Sequence, residues 1–315
     1  MDWSATLNSI VAAAAPLVFA TMGETISEKA GVINLSLEGS MRLSAMVGFV
    51  VAFWAGHALA GFGAAIVVGA VIAAIIAFGN IQLKINQIAL GFVLYLLAVA
   101  LASFLGDSFV GERGEQVPPL PIPGLSDIPF VGKVLFDHNL VVYGSFLAVF
   151  LTWYFFYRTR GGLNLQGVGE RPEGAFARGV PVNRLRALYA VIGGALIGLS
   201  GAAYSLDVKL GWRETLTLNL GWIALAIVIF GGWHPVRVAL GCYLFGALQV
   251  AAFQLLDVFP GFAQVLPIAP FPLMILALVM FYAGWVVRMG ERWPRVRGWL
   301  IAQPPGAIGT VFERE

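Results

Sequence analysis

The chain has very little charge and almost no cysteine. Charged residues make up only 11% of its 315 residues, while 59% are hydrophobic; in ordinary soluble domains about a quarter of the residues are charged. With a mean hydropathy of +0.85, the composition excludes a soluble globular domain. The single cysteine, Cys242, excludes an internal disulfide bond and a cysteine-based metal site. Because it lies in an apolar run, we expect it to face lipid or another helix.

Motifs for nucleotide hydrolysis and for common catalytic centres are missing as well. No GxxxxGK[ST] phosphate-binding loop occurs, because Gly132-Lys133 is followed by Val134. The sequences HExxH, CxxC and GxSxG are also absent. We therefore expect a chain that is not an enzyme, has no metal site and binds no cofactor of its own.

Apolar stretches of about 20 residues, long enough to cross a bilayer as a helix, recur along the whole chain. They predict an all-α, polytopic membrane protein with about nine transmembrane helices, including broken or re-entrant segments. The expected spans are Ser4–Met22, Asn34–Phe53, Gly61–Phe78, Ile88–Leu105, Leu140–Tyr157, Leu188–Leu206, Leu218–Phe230, Val238–Leu256 and Leu266–Val287. The seventh is short, as a broken or re-entrant element would be.

The distribution of positive charge predicts the orientation of these spans. Lys and Arg resist translocation and collect on the cytoplasmic side of membrane proteins. With the arginine-rich segment 158–186 on that side, 15 of the 19 Lys and Arg lie inside, and only Arg113, Lys133, Lys209 and Arg213 lie outside. The opposite orientation would translocate the 15. We therefore expect the N-terminus outside and the C-terminus inside.

The same assignment divides the chain into one membrane domain and a tail. Residues 1–288 form the expected transmembrane domain, and residues 289–315 a cytoplasmic tail. Residues 158–186 are the expected cytoplasmic loop. Residues 107–139 are an external loop whose prolines favour extended and turn conformations, so we expect an irregular cap there rather than a domain.

Tryptophans occur near many of the expected span ends, as in the aromatic belts of membrane proteins. The belt interpretation places Trp3, Trp54 and Trp212 at the outer interface and Trp233, Trp285 and Trp293 at the inner one. It predicts that these side chains contact lipid headgroups.

Polar residues crowd between the first two expected spans, in Gly23–Gly39 (GETISEKAGVINLSLEG). For Glu24, Glu28 and Lys29 two interpretations stay open. They are either solvated charges in a cytoplasmic turn or groups that face protein or a water-filled path.

Asn34 and Glu38 lie deeper in the second expected span, where a buried structural or pathway role is favoured. A charge near the middle of a bilayer costs about 2.5–3.5 kcal/mol, so such a residue should face protein or water. Arg42 follows Glu38 by four residues, and on a helix the two can pair.

Glycines interrupt another apolar region, Gly211–Pro235, which contains Asn219 and Trp222. Helix breaks within membranes are tolerated where they line a cavity. We expect Asn34, Glu38, Asn219 and Trp222 to line or shape a path through the membrane. Upstream, Gly194-x-x-x-Gly198 predicts close packing of two helices.

The cytoplasmic loop carries the signal of a short helix. Pro172 suits a first helical turn, Gly179 suits the C-terminal cap and Pro181 prevents continuation. A helix of about two turns is marginal by itself, so it needs a docking surface. The residues expected to serve that docking are Pro172, Glu173, Ala175, Phe176, Ala177, Arg178 and Gly179.

Four segments in this order resemble a known family. They are GETISEKAGVINLSLEG, GVGERPEGAFARGVPVNRLR, GGALIGLSGA and GWIALAIVIFGGW. Together they resemble the permease subunits of bacterial ABC importers for simple sugars and nucleosides, specifically the shorter permease of nucleoside-type systems. The resemblance covers roughly residues 4 to 288.

The resemblance implies a membrane subunit that provides the path for nucleosides across the bacterial cytoplasmic membrane. It implies three kinds of partner: an ATP-binding subunit that uses the ATP, a second permease that is a different chain, and an external substrate-binding lipoprotein. Pro172–Gly179 matches the place of the helix that couples permease to ATPase. Its Glu173-Gly-Ala sequence is a loose version of the EAA pattern of other importers.

Several alternatives remain open from the sequence. Within the class, the substrate could be a simple sugar such as ribose or galactose, with a branched-chain amino acid as a further option. A stand-alone secondary transporter or channel would show matched repeat halves, which this chain does not. A membrane-embedded enzyme would need a clustered catalytic set, which is also absent.

Overall fold

The structure is a computed structural model that describes residues 2–262, 265–266, 268–282 and 304–313. Twelve α-helices occur in these residues: α1 Trp3–Lys29, α2 Leu37–Ala55, α3 Ala58–Ile81, α4 Gln87–Gly106, α5 Val131–Leu135, α6 Leu140–Arg158, α7 Arg160–Glu170, α8 Pro172–Ala177, α9 Val182–Ala203, α10 Leu220–Phe230, α11 Pro235–Val258 and α12 Pro270–Tyr282. The all-α prediction is confirmed for the described part of the chain.

Within those residues, seven helices are long and apolar enough to cross a membrane: α1, α2, α3, α4, α6, α9 and α11. The expected seventh span is the shorter helix α10, which has 11 residues. The expected ninth span is described only in part, as the 13-residue α12. The fold is therefore a polytopic helical bundle, while the count of nine stays a prediction.

Helix α9 lies at the centre of the bundle and packs against α1, α2 and α3. Its glycines permit this, as the spacing of Gly194 and Gly198 predicts. A Cβ atom placed on Gly198 would lie 2.1 Å from the carbonyl oxygen of Ala65 on α3. Backbones approach this closely only where side chains are missing, which is how helices associate within lipid.

Helix α1 is longer than expected, because it continues past Met22 to Lys29. Glu24 and Glu28 therefore lie within the helix, and both side chains are buried. Of the two interpretations left open for these acids, the structure excludes the solvated turn. Lys29, at the end of the helix, is partly exposed.

The loops separate into two groups at opposite ends of the bundle. At the end where α1 begins, the side-chain amide of Asn8 donates to the carbonyl oxygens of Lys133 and Asp137, 2.7 and 3.1 Å away. Residues 107–139 form irregular chain there, apart from a 3₁₀ turn and α5. The α1–α2 turn, α7, α8 and residues 304–313 gather at the other end.

Two tryptophans do not lie where the belt interpretation places them. Trp3 and Trp54 are exposed as expected, but Trp212 and Trp233 are only 1% and 5% exposed. Trp212 fits against Gly106, where a Cβ atom would lie 2.2 Å from the indole nitrogen. The prediction for these two residues is wrong, because both lie next to helix breaks and pack into the bundle. Trp285 and Trp293 lie outside the described residues.

Candidate functional site

The first turns of α2 and α10 lie against each other, and each of these helices follows an irregular segment. Gly221, in the first turn of α10, lies directly against Glu38 in the first turn of α2. A Cβ atom on Gly221 would be 2.4 Å from the Cα atom of Glu38. Glycine is therefore required for this contact, and the irregular segments 30–36 and 209–219 that precede the two helices are brought to the same place.

Glu38 joins the two helices through its carboxylate. The backbone N–H of Gly221 donates to Oε2 at 2.7 Å, and the hydroxyl of Thr217 donates to Oε1 at 3.4 Å. Arg42 forms an ion pair with Oε1 at 3.2 Å. Because the negative charge also faces the positive N-terminal end of α10, the contacts offset the cost of burying it. Glu38 is 2% exposed.

Asn34 shapes the segment that leads into α2. Its side-chain oxygen accepts hydrogen bonds from the backbone N–H and the hydroxyl of Ser36, at 3.1 and 2.6 Å. The side chain is 3% exposed, so its polar atoms serve the turn rather than an open cavity. Such local bonds stabilise a turn that precedes a helix. Asn34 therefore stabilises the turn that precedes α2, whose first turn contains Glu38.

The two acids of α1 bond to residues at two different helix breaks. Glu24 accepts from the backbone N–H of Asn34 at 3.0 Å, and Glu28 accepts from the indole N–H of Trp233. Irregular backbone inside a membrane is stable only when its polar groups find partners in the protein. Glu24 supplies such a backbone partner, while Glu28 holds a side chain at the break between α10 and α11. The polar pattern of Gly23–Gly39 does not specify either role.

Asn219 and Trp222 lie at the start of α10, and both are at least partly exposed. We name this part of the site the open edge. Asn219 has φ 63°, a left-handed conformation that Asn tolerates, and its exposed side chain makes no capping bond to α10. Trp222 is partly exposed and packs edge-on against Tyr95 of α4, with 5.4 Å between ring centres. Phe92 lies 5.8 Å from Tyr95. Sequence reasoning did not single out these two α4 aromatics, because nothing in an apolar span distinguishes an aromatic that packs against another helix from one that faces lipid.

A cavity of about 1050 Å³ lies elsewhere, between α1, α3, α6 and α9. Its lining is mostly apolar, with Phe19, Leu196 and Tyr189 among the contributors. It contains none of the four residues expected to line or shape the path. A hydrophilic solute would find few partners there, so the polar cluster around Glu38 is the better candidate site.

The short helix predicted in the loop is present as α8, Pro172–Ala177. Gly179 follows it with φ +81°, the left-handed conformation of a C-terminal cap. Glu173 and Arg178 are exposed at its ends, as is Ala177. Ala175, in contrast, is buried against Val168, Val182 and Phe312. The exposed face of α8 therefore consists of Glu173, Gly174, Phe176, Ala177 and Arg178.

These features define a class of protein. A bundle of apolar helices surrounds buried polar groups at two helix breaks, and a small exposed helix lies at one end of the bundle. This is the arrangement expected of a membrane-embedded transport subunit.

Comparison with known proteins specifies the family. The family of permease components of branched-chain amino acid transport systems matches residues 6–283. The chain belongs to this family, and it is a membrane-embedded permease subunit of an ABC transporter. Members of this class are typically non-catalytic subunits that associate with ATP-binding and other ABC components.

Three relatives cover most of the chain. TsgC13 of Haloferax volcanii, provisionally named as a glucose ABC transporter permease, is 43% identical over 247 residues, 77% of this chain and 75% of its own length. The guanosine ABC transporter permease NupQ of Bacillus subtilis is 32% identical over 302 residues, 89% and 94% of the two chains. The nucleoside ABC transporter permease NupC of Lactococcus lactis subsp. cremoris is 31% identical over 286 residues, 84% and 88%. No solved structure shows a significant match.

Proposed function

We propose that this subunit forms the path through which an ATP-driven importer takes up nucleosides. The observation that carries the proposal is the 32% identity to the guanosine permease, which extends over 89% of this chain. Uptake of a simple sugar is the second candidate, favoured by the 43% identity to TsgC13. The chain's resemblance to permeases for simple sugars and nucleosides agrees with either.

The open edge beside Glu38 supports a nucleoside. Trp222, Tyr95 and Phe92 form an aromatic group on which a base could stack, and Asn219, whose side chain is exposed, precedes Trp222 by three residues. Base–aromatic stacking contributes about 1–3 kcal/mol, while an amide can bond the ribose hydroxyls. A sugar without a base would gain less from the three rings.

The exposed helix, the charge distribution and the family resemblance support the remaining assignments. An ATP-binding subunit docks on α8 at the cytoplasmic face and performs all ATP hydrolysis, so this chain needs no cofactor. A second, different permease covers the open edge of Trp222 and Asn219, and an external lipoprotein delivers the substrate. We place the chain in the bacterial cytoplasmic membrane with its N-terminus outside and its C-terminus inside.

Uptake by the reconstituted importer tests the proposal. Proteoliposomes that contain the complete complex, loaded with ATP and given the binding lipoprotein outside, should accumulate radiolabelled guanosine or adenosine. Excess unlabelled nucleoside should compete, whereas excess glucose or ribose should not. Uptake of radiolabelled glucose or ribose, without uptake of nucleoside, would establish the second candidate. Uptake by this chain without its partners, driven by a gradient, would contradict the proposal.

Trp222 tests the proposed path. Replacement by alanine removes the ring that packs on Tyr95, so we expect the KM for nucleoside uptake to rise by about tenfold, within the range expected for stacking on one aromatic side chain. Trp222→Phe should retain most of the activity. Phe104→Ala is the matched control, because Phe104 is on the same helix as Tyr95 but is 80% exposed. Equal effects of Trp222→Ala and Phe104→Ala would contradict a role of Trp222 in the path.

A further inference from the structure

Residues 304–313, which we name the C-terminal strap, lie across the end of the bundle that carries α8. Two backbone hydrogen bonds fix the strap to different parts of the bundle. The N–H of Ala307 donates to the carbonyl oxygen of Gly169 at 2.8 Å, and the N–H of Gly309 donates to that of Gly31 at 3.1 Å. The first contact is in α7, just before α8, and the second is in the turn between α1 and α2.

Arg186 shows that the strap is part of the folded subunit. This side chain is 1% exposed, and its guanidinium donates to the carbonyl oxygens of Thr310 and Ala307, at 2.7 and 3.5 Å. Burial of a charge is costly unless hydrogen bonds compensate it. Both of these acceptors belong to the strap, so its removal would leave a buried guanidinium without them.

The strap also supports α8 directly. Phe312 is buried in a cluster with Val168, Ala175 and Val182, and its ring centre lies 5.7 Å from that of Phe176. Because a six-residue helix has little stability of its own, its position depends on what it packs against. The buried face of α8 therefore packs partly against the strap.

The end of the strap makes a surface contact of a different kind. The ammonium of Lys84 lies 2.7 Å from Oε1 of Glu313, with both side chains more than half exposed. The hydrogen bond and the positive charge of Lys84 lower the pKa of Glu313. Exposed pairs of this kind contribute little to stability, which makes Glu313 a suitable control position.

We propose that the C-terminal strap is a fixed mechanical link that carries displacements of α8 to the α1–α2 turn. Phe312 contacts α8. The backbone N–H of Gly309 is hydrogen-bonded to the carbonyl oxygen of Gly31, which is three residues before Asn34. Asn34 and Glu38 belong to the polar cluster where α2 begins, so the strap connects α8 to that cluster without passing through the length of α9. This proposal rests on the function proposed above, in which an ATP-binding subunit moves α8.

Weakening the strap should uncouple the importer. In the complete complex, Phe312→Ala should lower nucleoside uptake per ATP hydrolysed by about tenfold, within the usual range of coupling between sites, while the complex still assembles and hydrolyses ATP. Glu313→Gln, which changes only the surface pair, should leave this ratio unchanged. Normal coupling in Phe312→Ala would overturn the proposal. So would failure of that variant to assemble, because the link would then serve assembly rather than transmission.

A cross-link tests whether the strap stays in its position during transport. The substitutions Lys84→Cys and Glu313→Cys, in a Cys242→Ala background, provide two thiols that a short bis-maleimide can join within the intact complex. We expect uptake to continue after cross-linking, because the strap need not leave its place. Loss of uptake would overturn the proposal and indicate a lid that must open. If the complex without the cross-link imports no solute, that result contradicts the proposed function and not the role of the strap.

Discussion

Replacing Gly221 with valine should abolish transport. Any Cβ atom at this position would lie 2.4 Å from the Cα atom and 2.5 Å from the nitrogen of Glu38, so α10 must move away from α2. The hydrogen bond from Gly221 to the carboxylate then lengthens, and the buried charge loses its contact with the end of α10. Overpacking of this kind costs about 1–3 kcal/mol, and the bond to a buried carboxylate adds about 1.5–3 kcal/mol.

The measurement is nucleoside uptake together with the thermal unfolding temperature of the complex in detergent. Gly63→Ala is the matched control: Gly63 is also in a helix, but a Cβ atom there meets no atom within 4 Å. That variant should transport normally and be slightly more stable, because alanine favours helix over glycine by about 1 kcal/mol. If Gly221→Val transported as well as Gly63→Ala, the contact between α2 and α10 would have no part in function.

Introducing a negative charge on α8, with Ala177→Asp, should uncouple ATP hydrolysis from uptake. Ala177 is exposed, so the substitution disturbs little within the subunit. In the complex it would bury an unpaired carboxylate against the ATP-binding subunit, at a cost of several kcal/mol. We expect uptake to fall at least about tenfold, which corresponds to 1.4 kcal/mol.

Asn164→Asp provides the control for this prediction, because Asn164 is exposed on the neighbouring helix α7 and gains the same charge. Uptake and ATP hydrolysis by the two variants are compared in proteoliposomes of equal protein content. An unchanged ratio of uptake to hydrolysis in Ala177→Asp would remove α8 from the coupling mechanism.

The sequence predicted features that depend on local patterns. Hydrophobic length identified the long helices, and the proline and glycine that bound α8 placed that helix within a residue of its position. The glycines of α9 predicted close packing for the same reason: each signal is contained in a short stretch of chain. The family resemblance also rested on contiguous motifs, and it is confirmed over residues 6–283.

Features that depend on distant contacts could not be predicted in this way. Trp212 and Trp233 look like belt residues by position, but they pack beside helix breaks whose geometry is set by other segments. The pairing of Glu38 with Gly221 joins residues 183 positions apart. Sequence alone also predicts that Ala175 is presented for docking with Phe176, whereas the strap covers Ala175. The roles of the path residues and of α8 in docking stay predictions.

The side of the membrane from which α8 is accessible tests the account most directly. A cysteine at Ala177, in a Cys242→Ala background, should react with a membrane-impermeant maleimide in inverted vesicles and not in intact cells. A cysteine at Asp127, exposed in the loop 107–139, should show the opposite pattern. Adding the ATP-binding subunit should protect position 177. Labelling of position 177 from outside the cell would contradict the account, because no ATP-driven partner could then act on α8.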